Sequence, residues 1–288
     1  MDYVAIILLQ TTISIANLVL ISAGLAVIFG MMRVINFAHG EFLMLGGYTA
    51  VIAAQHGVPL LLSCFVLAPI LVGLVGLVVE YLVIRHLYGR LLDTMLATWG
   101  VSLILIGLVT VSFGNSVSGI STPFGSVAIG RFTIGLYELF LVAVTIALVV
   151  AGYLVMRFSR IGLIARATMQ DREMAEALGI NQRAVYRATF VTGAALSGFA
   201  GALIAPIAGV VPTIGASYLA KCFITVISGG PAIIAGTLSA SGLLGGVNVI
   251  MTFLSTPVLA EVALLATAVI LLRVLPQGIT SKFFRRSQ

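Results

Sequence analysis

Charge is scarce in this chain: Asp, Glu, Lys and Arg make up 8% of its 288 residues, against roughly a quarter in an average soluble domain. Together with 60% hydrophobic residues and a mean hydropathy of +1.20, that deficit excludes an ordinary water-soluble globule. Lysine is scarcer still. Only Lys221 and Lys282 occur, and neither follows a glycine, so the chain cannot form the G-x-x-x-x-G-K-[ST] loop that cradles nucleotide phosphates. The two cysteines, Cys64 and Cys222, lie in or beside apolar runs with neither disulfide nor metal-ligand spacing and read as small buried hydrophobes. No G-x-S-x-G elbow, H-E-x-x-H pair or His/Cys cluster is present, so neither a metal site nor catalytic chemistry is expected.

What the chain has instead is a succession of apolar runs, near 4–32, 35–54, 59–84, 94–113, 133–156, 188–208, 222–254 and 258–275. A helix needs roughly 20 apolar residues to cross the hydrocarbon core, and the alternating ten-residue pattern of barrel strands is missing. The expected fold is all-α: a polytopic membrane protein of eight or nine transmembrane helices, some discontinuous, in a single domain over residues 1–288. The first run is too long for a signal-peptide core and no basic region precedes it, so it is expected to remain as a span. The net charge of +6 would suggest nucleic acid in a soluble protein. Here most basic residues sit at the ends of apolar runs, where they report orientation in a multi-pass cell membrane protein of bacterial type and contacts with lipid, not nucleic acid.

By that rule Arg85 and Arg90, the arginines of 157–187, and Lys282, Arg285 and Arg286 are cytoplasmic, while Asp2, the Gln55-His56-Gly57 turn, 114–130 and 209–221 face outward. With 258–275 crossing once, 222–254 must then cross an even number of times. Ser228-Gly229-Gly230-Pro231 is the natural break for that fold-back. Small residues four apart, Gly193, Ser197, Gly201 and Ala205 and also Gly242 and Gly246, predict close helix approach, with a substrate-lining role as the alternative.

Residues 157–187 form a polar island that holds nine of the 24 charged residues. Ile161 to Leu178 has a helical composition, and Gly179 stands where a left-handed cap would end a helix. One short surface helix between two spans is predicted. It mixes Arg166, Asp171, Arg172, Glu173 and Glu176 with Gln170 and with apolar Leu163, Ile164, Met169, Met174 and Leu178. A lipid-bound amphipathic helix would be more uniformly basic, whereas mixed charge with apolar knobs suits a protein groove; an unpartnered solvated loop is the plain alternative.

Three stretches carry a family resemblance: Val34-Ile35-Asn36-Phe37-Ala38-His39-Gly40-Glu41, Leu96-Ala97-Thr98-Trp99-Gly100, and Gln170-Asp171-Arg172-Glu173-Met174-Ala175 continuing to Leu178-Gly179-Ile180. The tail Leu275-Pro276-Gln277-Gly278-Ile279 also fits. The chain resembles the permease subunits of ATP-binding-cassette importers for branched-chain amino acids and related amides, including urea. The resemblance implies that the island is a coupling helix received by a groove on separate cytoplasmic ATPase subunits, which hold ATP and magnesium, so that this chain binds no cofactor and is not itself an enzyme. It further implies a second permease subunit, identical or paralogous, an extracytoplasmic solute-binding protein, and a small-molecule substrate. Glu176-Ala177-Leu178-Gly179 follows only loosely the E-A-A-x-x-x-G pattern of such permeases at large, which suits the amino acid and amide branch.

Ionisable groups at membrane depth cost about 2.5–3.5 kcal/mol on insertion scales and need a partner or a task. Asn36, His39 and Glu41 either line the substrate path or cap a helix and pair with Arg33. Thr98 and Trp99 are further pathway candidates, Trp99 as a gate wall or an interfacial anchor. Glu80 is expected to pair with Arg85, Asp93 to cap the fourth span, Glu138 after Arg131 to lie at headgroup level, and Lys221 and Glu261 to snorkel outward or receive a binding protein. A gradient-driven carrier titrating His39, Glu41 or Glu261 is the rival from another class.

Overall fold

A computed structural model describes residues 2–122, 124–129 and 132–281; Arg131, Lys282, Arg285 and Arg286 lie outside the described residues. Apolar runs become helices because a backbone in lipid must satisfy its own hydrogen bonds. In order these are α1 (Asp2–Met32), α2 (His39–Gln55), α3 (Leu60–Leu62), α4 (Ala68–Leu82), α5 (Leu91–Phe113), α6 (Leu136–Phe158), α7 (Arg160–Gln170), α8 (Arg172–Ala177), α9 (Gln182–Ala208), α10 (Ile214–Gly229), α11 (Ile233–Leu254) and α12 (Pro257–Val274). A π-helical segment, Ser63–Leu67, joins α3 to α4, so that Leu60–His86 is one span. Among the described residues seven helices are long and apolar enough to cross a membrane. With 17 and 16 residues, α2 and α10 are shorter, which is why a count of eight or nine is approximate. Sequence patterning missed a hairpin of β1 (Ser126–Ile129) and β2 (Phe132–Gly135), paired antiparallel with Val127 opposite Ile134.

The chain divides into two compact units: residues up to 22, 122–153 and from 221 onward form one, and 23–121 with 154–220 the other. In the second unit, glycine brings α2 and α9 together. A Cβ on Gly46 would strike the carbonyl of Gly198, and one on Gly201 the carbonyl of Leu43, so the two helices meet backbone to backbone. Gly193 meets the Gly24 backbone of α1 in the same way and lies against the Ile28 side chain. The small-residue stripe of α9 is therefore a packing surface. Gly242 and Gly246 are not: both face open space, and it is Gly245 that meets Ile15 within the first unit.

The expected break in 222–254 is present. It falls at residues 230–232, between α10 and α11, with Gly230 at φ +86°. The tail closes it: Ile279 and Thr280 donate their backbone N–H groups to the Ser228 and Gly229 carbonyls at 2.9 and 3.2 Å, and the Thr280 hydroxyl donates to the Gly229 carbonyl at 2.6 Å. Gly278, at φ +82°, fits against Gly230 where a side chain would collide. This gives the tail motif a structural task, because a helix end at a chain break leaves carbonyls that need donors. Replacing Thr280 with valine removes the hydroxyl bond but leaves the Thr280 N–H on the Gly229 carbonyl, so it should lower stability by about 1 kcal/mol, the usual net worth of one hydrogen bond, seen as a fall in melting temperature; an unchanged melting temperature would remove the hydroxyl from the latch.

Three local expectations are corrected. Glu80 is buried and accepts the Tyr88 hydroxyl at 2.5 Å, while Arg85 stacks on the Tyr81 ring at 3.7 Å; no Glu80–Arg85 ion pair exists among the described residues. Burial, and then donation to Glu80, pushes the Tyr88 phenol up. Asp93 lies inside α5, which starts at Leu91, and pairs with Arg90 at 2.5 Å without capping the helix. Lys221 lies in the middle of α10, not at the start of an apolar segment, and is bound to Glu261 at 2.6 Å.

Candidate functional site

The junction between α1 and α2 gathers the polar residues of the Asn36 to Glu41 stretch. Helix α1 stops at Arg33, whose φ of +52° is left-handed, a conformation that costs a residue with a β-carbon about 1 kcal/mol or more. The chain then turns through 33–38, with the Asn36 side-chain oxygen accepting from Ala38 N at 3.0 Å, before α2 opens on His39. Apart from Phe37, which is partly buried, residues 36–44 are buried.

Hydroxyls on the facing helices meet this stretch at Phe37 N, His39 and Glu41. The Thr98 hydroxyl of α5 accepts from Phe37 N at 3.1 Å and donates to the Thr94 carbonyl at 2.8 Å. Ser102, one turn later, donates to a Glu41 carboxylate oxygen at 2.9 Å. On α9, the Ser197 hydroxyl lies 3.1 Å from His39 Nδ1 and 2.8 Å from the Gly193 carbonyl. Because the hydroxyl has one proton and the carbonyl can only accept, Nδ1 is the donor when that proton goes to Gly193. The Glu41–Arg33 pairing raised by the sequence is not formed among the described residues, since the carboxylate turns to Ser102.

Two atoms of this cluster lack partners. Glu41 is 1% exposed, yet its second carboxylate oxygen has no hydrogen-bond partner among the described residues, and neither has the Asn36 amide nitrogen. Gly215, in the first turn of α10, sits so close to that free oxygen that a Cβ there would collide with it. Buried polar atoms are normally satisfied, so an orphaned carboxylate oxygen at a helix junction is what makes this cluster a candidate site. Sequence reasoning missed Ser102 entirely and took Ser197 only as a small residue. Their signal was spacing: Thr94, Thr98 and Ser102 are a hydroxyl stripe at every fourth position of an apolar span. Trp99 lies outside this hydroxyl stripe and is 57% exposed.

The island is built differently from the single helix expected. Asp171 is extended (φ −147°, ψ 112°) and divides it into α7 and α8. Its composition explains this, because three of its polar residues are N-caps: the side chains of Ser159, Asp171 and Asn181 accept from the N–H three residues on, in Gly162, Met174 and Ala184, at 2.9, 3.0 and 3.1 Å. Gly162 lets α7 fold tightly back on the last turn of α6, against Val155 and Met156, and Gly179 ends the segment at φ +85°, as expected. Ala165, Thr168 and Ala175 point inward, while Met174 and Leu178 are exposed beside Gln170, Glu173 and Glu176; Arg166 is half-buried. Arg172 reaches back, its guanidinium 3.5 Å from the Met32 carbonyl at the end of α1 and 5.5 Å from the Tyr186 ring of α9.

The family described as "Branched-chain amino acid transport system / permease component" matches residues 7–275. The chain belongs to this family. Relatives include the high-affinity branched-chain amino acid transport system permease protein LivH of Escherichia coli, 29% identical over 91% of either chain. BraD of Pseudomonas aeruginosa, a permease protein of the same description, is 32% identical over 78% of this chain and 79% of its own. A probable LivH of Methanocaldococcus jannaschii is 26% identical over 82% and 77%. No solved structure matches. The permease is a multi-pass protein of the bacterial inner membrane, and as a transport component it is not itself an enzyme.

Proposed function

We propose that this permease is the translocation subunit of an ATP-driven importer that moves branched-chain amino acids delivered by a solute-binding protein. The observation that carries the reading is the family match across residues 7–275. A chain without a phosphate-binding loop must borrow its ATPase. The island, placed in the cytoplasm by its arginines, is the docking element, with Met174 and Leu178 as anchors and Gln170, Asp171, Glu173, Glu176 and Arg166 setting register; ATP and magnesium stay on the ATPase subunits. A second permease subunit, identical or paralogous, completes the pathway. Asn36, His39, Glu41 and Thr98 belong to its wall, because the unpartnered Glu41 oxygen offers the acceptor that a substrate ammonium needs.

Reconstitution with ATPase subunits and binding protein in liposomes tests the class. Leucine uptake should require ATP and survive an ionophore; uptake that persists without ATPase subunits and collapses with the ionophore would establish a gradient-driven carrier instead. Urea uptake in preference to leucine would move the substrate to amides. Within this system, Glu41→Gln keeps the shape and the Ser102 contact but loses the charge. It should cut leucine uptake at least tenfold, about 1.4 kcal/mol, with the protein still monodisperse. Wild-type uptake would take Glu41 out of the pathway.

A further inference from the structure

One cleft lies away from the Glu41 cluster. About 570 Å³ in volume, it is lined by Glu80, Tyr81, Arg85, His86, Arg183 and Arg187. It therefore sits where the Leu60–His86 span ends and α9 begins, which places the Arg85 turn and the end of the island on one side of the second unit. Arg85, Arg183 and Arg187 are exposed, and none has a carboxylate within ion-pair distance among the described residues; the ion pairs formed are Arg90–Asp93 and Lys221–Glu261. Glu80 opposes this charge only in part, because it is buried and taken by Tyr88. Arg85 is held in place by the Tyr81 ring and by its Nε, 3.3 Å from His86 Nε2.

Three guanidiniums converging on one cleft with a single engaged carboxylate select a phosphate, which they can bind through several donors at once. What lies beside the cleft identifies the source. Leu74, Leu77, Val78, Tyr81 and Leu82 on α4 are all exposed, and form an apolar strip that runs along the span up to the arginines. A free phosphate has no use for such a strip, whereas an acyl chain does. The geometry points to a site for an anionic phospholipid, its phosphodiester among Arg85, Arg183 and Arg187 and its acyl chains along α4. Bound there, the lipid ties the end of the Leu60–His86 span to the first turn of α9, the helix that follows the island. This site does not depend on the importer reading.

Native mass spectrometry of the full chain, released from mixed phosphatidylcholine and phosphatidylglycerol nanodiscs, tests it. Wild type should retain phosphatidylglycerol through stepwise delipidation after phosphatidylcholine is gone; equal retention of the two lipids would overturn the site. Each of Arg85→Gln, Arg183→Gln and Arg187→Gln should weaken retention about fivefold, following the usual contribution of one basic residue at a membrane surface, while Arg90→Gln, outside the cleft, should not. An equal loss in Arg90→Gln would reduce the effect to general surface charge and overturn the site. Displacement of the lipid by inorganic phosphate would make the cleft a free-anion site. Unchanged lipid retention in the three variants, with loss of ATPase co-purification, would make it a protein contact. Either result rejects the lipid assignment.

Discussion

Gly201→Val should leave no folded permease. A Cβ at this position falls on the carbonyl of Leu43, and a backbone oxygen held in a helix cannot rotate away as a side chain could. The helices α2 and α9 would have to separate, losing at the same time the Gly46–Gly198 approach one turn away and the seat of His39 on Ser197. Overpacking where neighbours can adjust costs about 1–3 kcal/mol; here the obstacle is rigid and the interface is shared, so the loss should exceed that range. Without a hydrophobic driving force between helices in lipid, such close approach is most of what holds them together. Size-exclusion profiles in mild detergent should show aggregate in place of a monodisperse peak. Gly242→Ala and Gly246→Ala provide the contrast, since both face open space within α11 and should stabilise by up to about 1 kcal/mol through helix propensity. A folded Gly201→Val protein would mean that α2 and α9 do not meet as described.

Those glycines also show how far the sequence reaches. Spacing by four marks helix faces that can approach closely, and for α9 it identified the face that does. It cannot tell which small-residue face has a neighbour, so Gly242 and Gly246 were grouped with Gly193 and Gly201 although Gly245 makes the contact. The break at residues 230–232 was legible because glycine and proline act locally, whereas the donors that close it come from Ile279 and Thr280, some fifty residues later in the chain. Charge pairing was the least legible. Glu80 and Arg85 are five residues apart, one more than brings helical side chains together; a phenol eight residues from Glu80 takes the carboxylate, and the tyrosine ring one turn before Arg85 takes the guanidinium. At the candidate site the acidic and imidazole groups stood out against an apolar background, while the hydroxyls that hold them, Ser102 and Ser197, did not, because single serines are common in membrane helices.

The substitutions Met174→Ala and Leu178→Ala together should detach the ATPase without disturbing the permease. Both side chains are exposed, Leu178 at 75%, so their removal forfeits little in this chain. If they are the anchors of α8 in a groove, each is worth about 2–4 kcal/mol to the complex, and losing even one such contribution weakens association by roughly 30-fold or more. Transport should fall with it, and the melting temperature of the isolated permease should not move. Reversing Glu173 and Glu176 to arginine should act in the same direction by placing repulsive charge at the rim. Arg172→Gln separates docking from transmission: Arg172, although exposed, reaches the Met32 carbonyl and the Tyr186 ring, so the variant should keep the ATPase bound and hydrolysing while uptake per ATP falls. That outcome follows from geometry. A segment that only docks needs no contact with the end of α1, which leads seven residues later into His39 and the buried cluster, whereas a segment that transmits movement does. If the alanine pair leaves ATPase co-purification and uptake at wild-type levels, the exposed apolar face of α8 is not the docking surface.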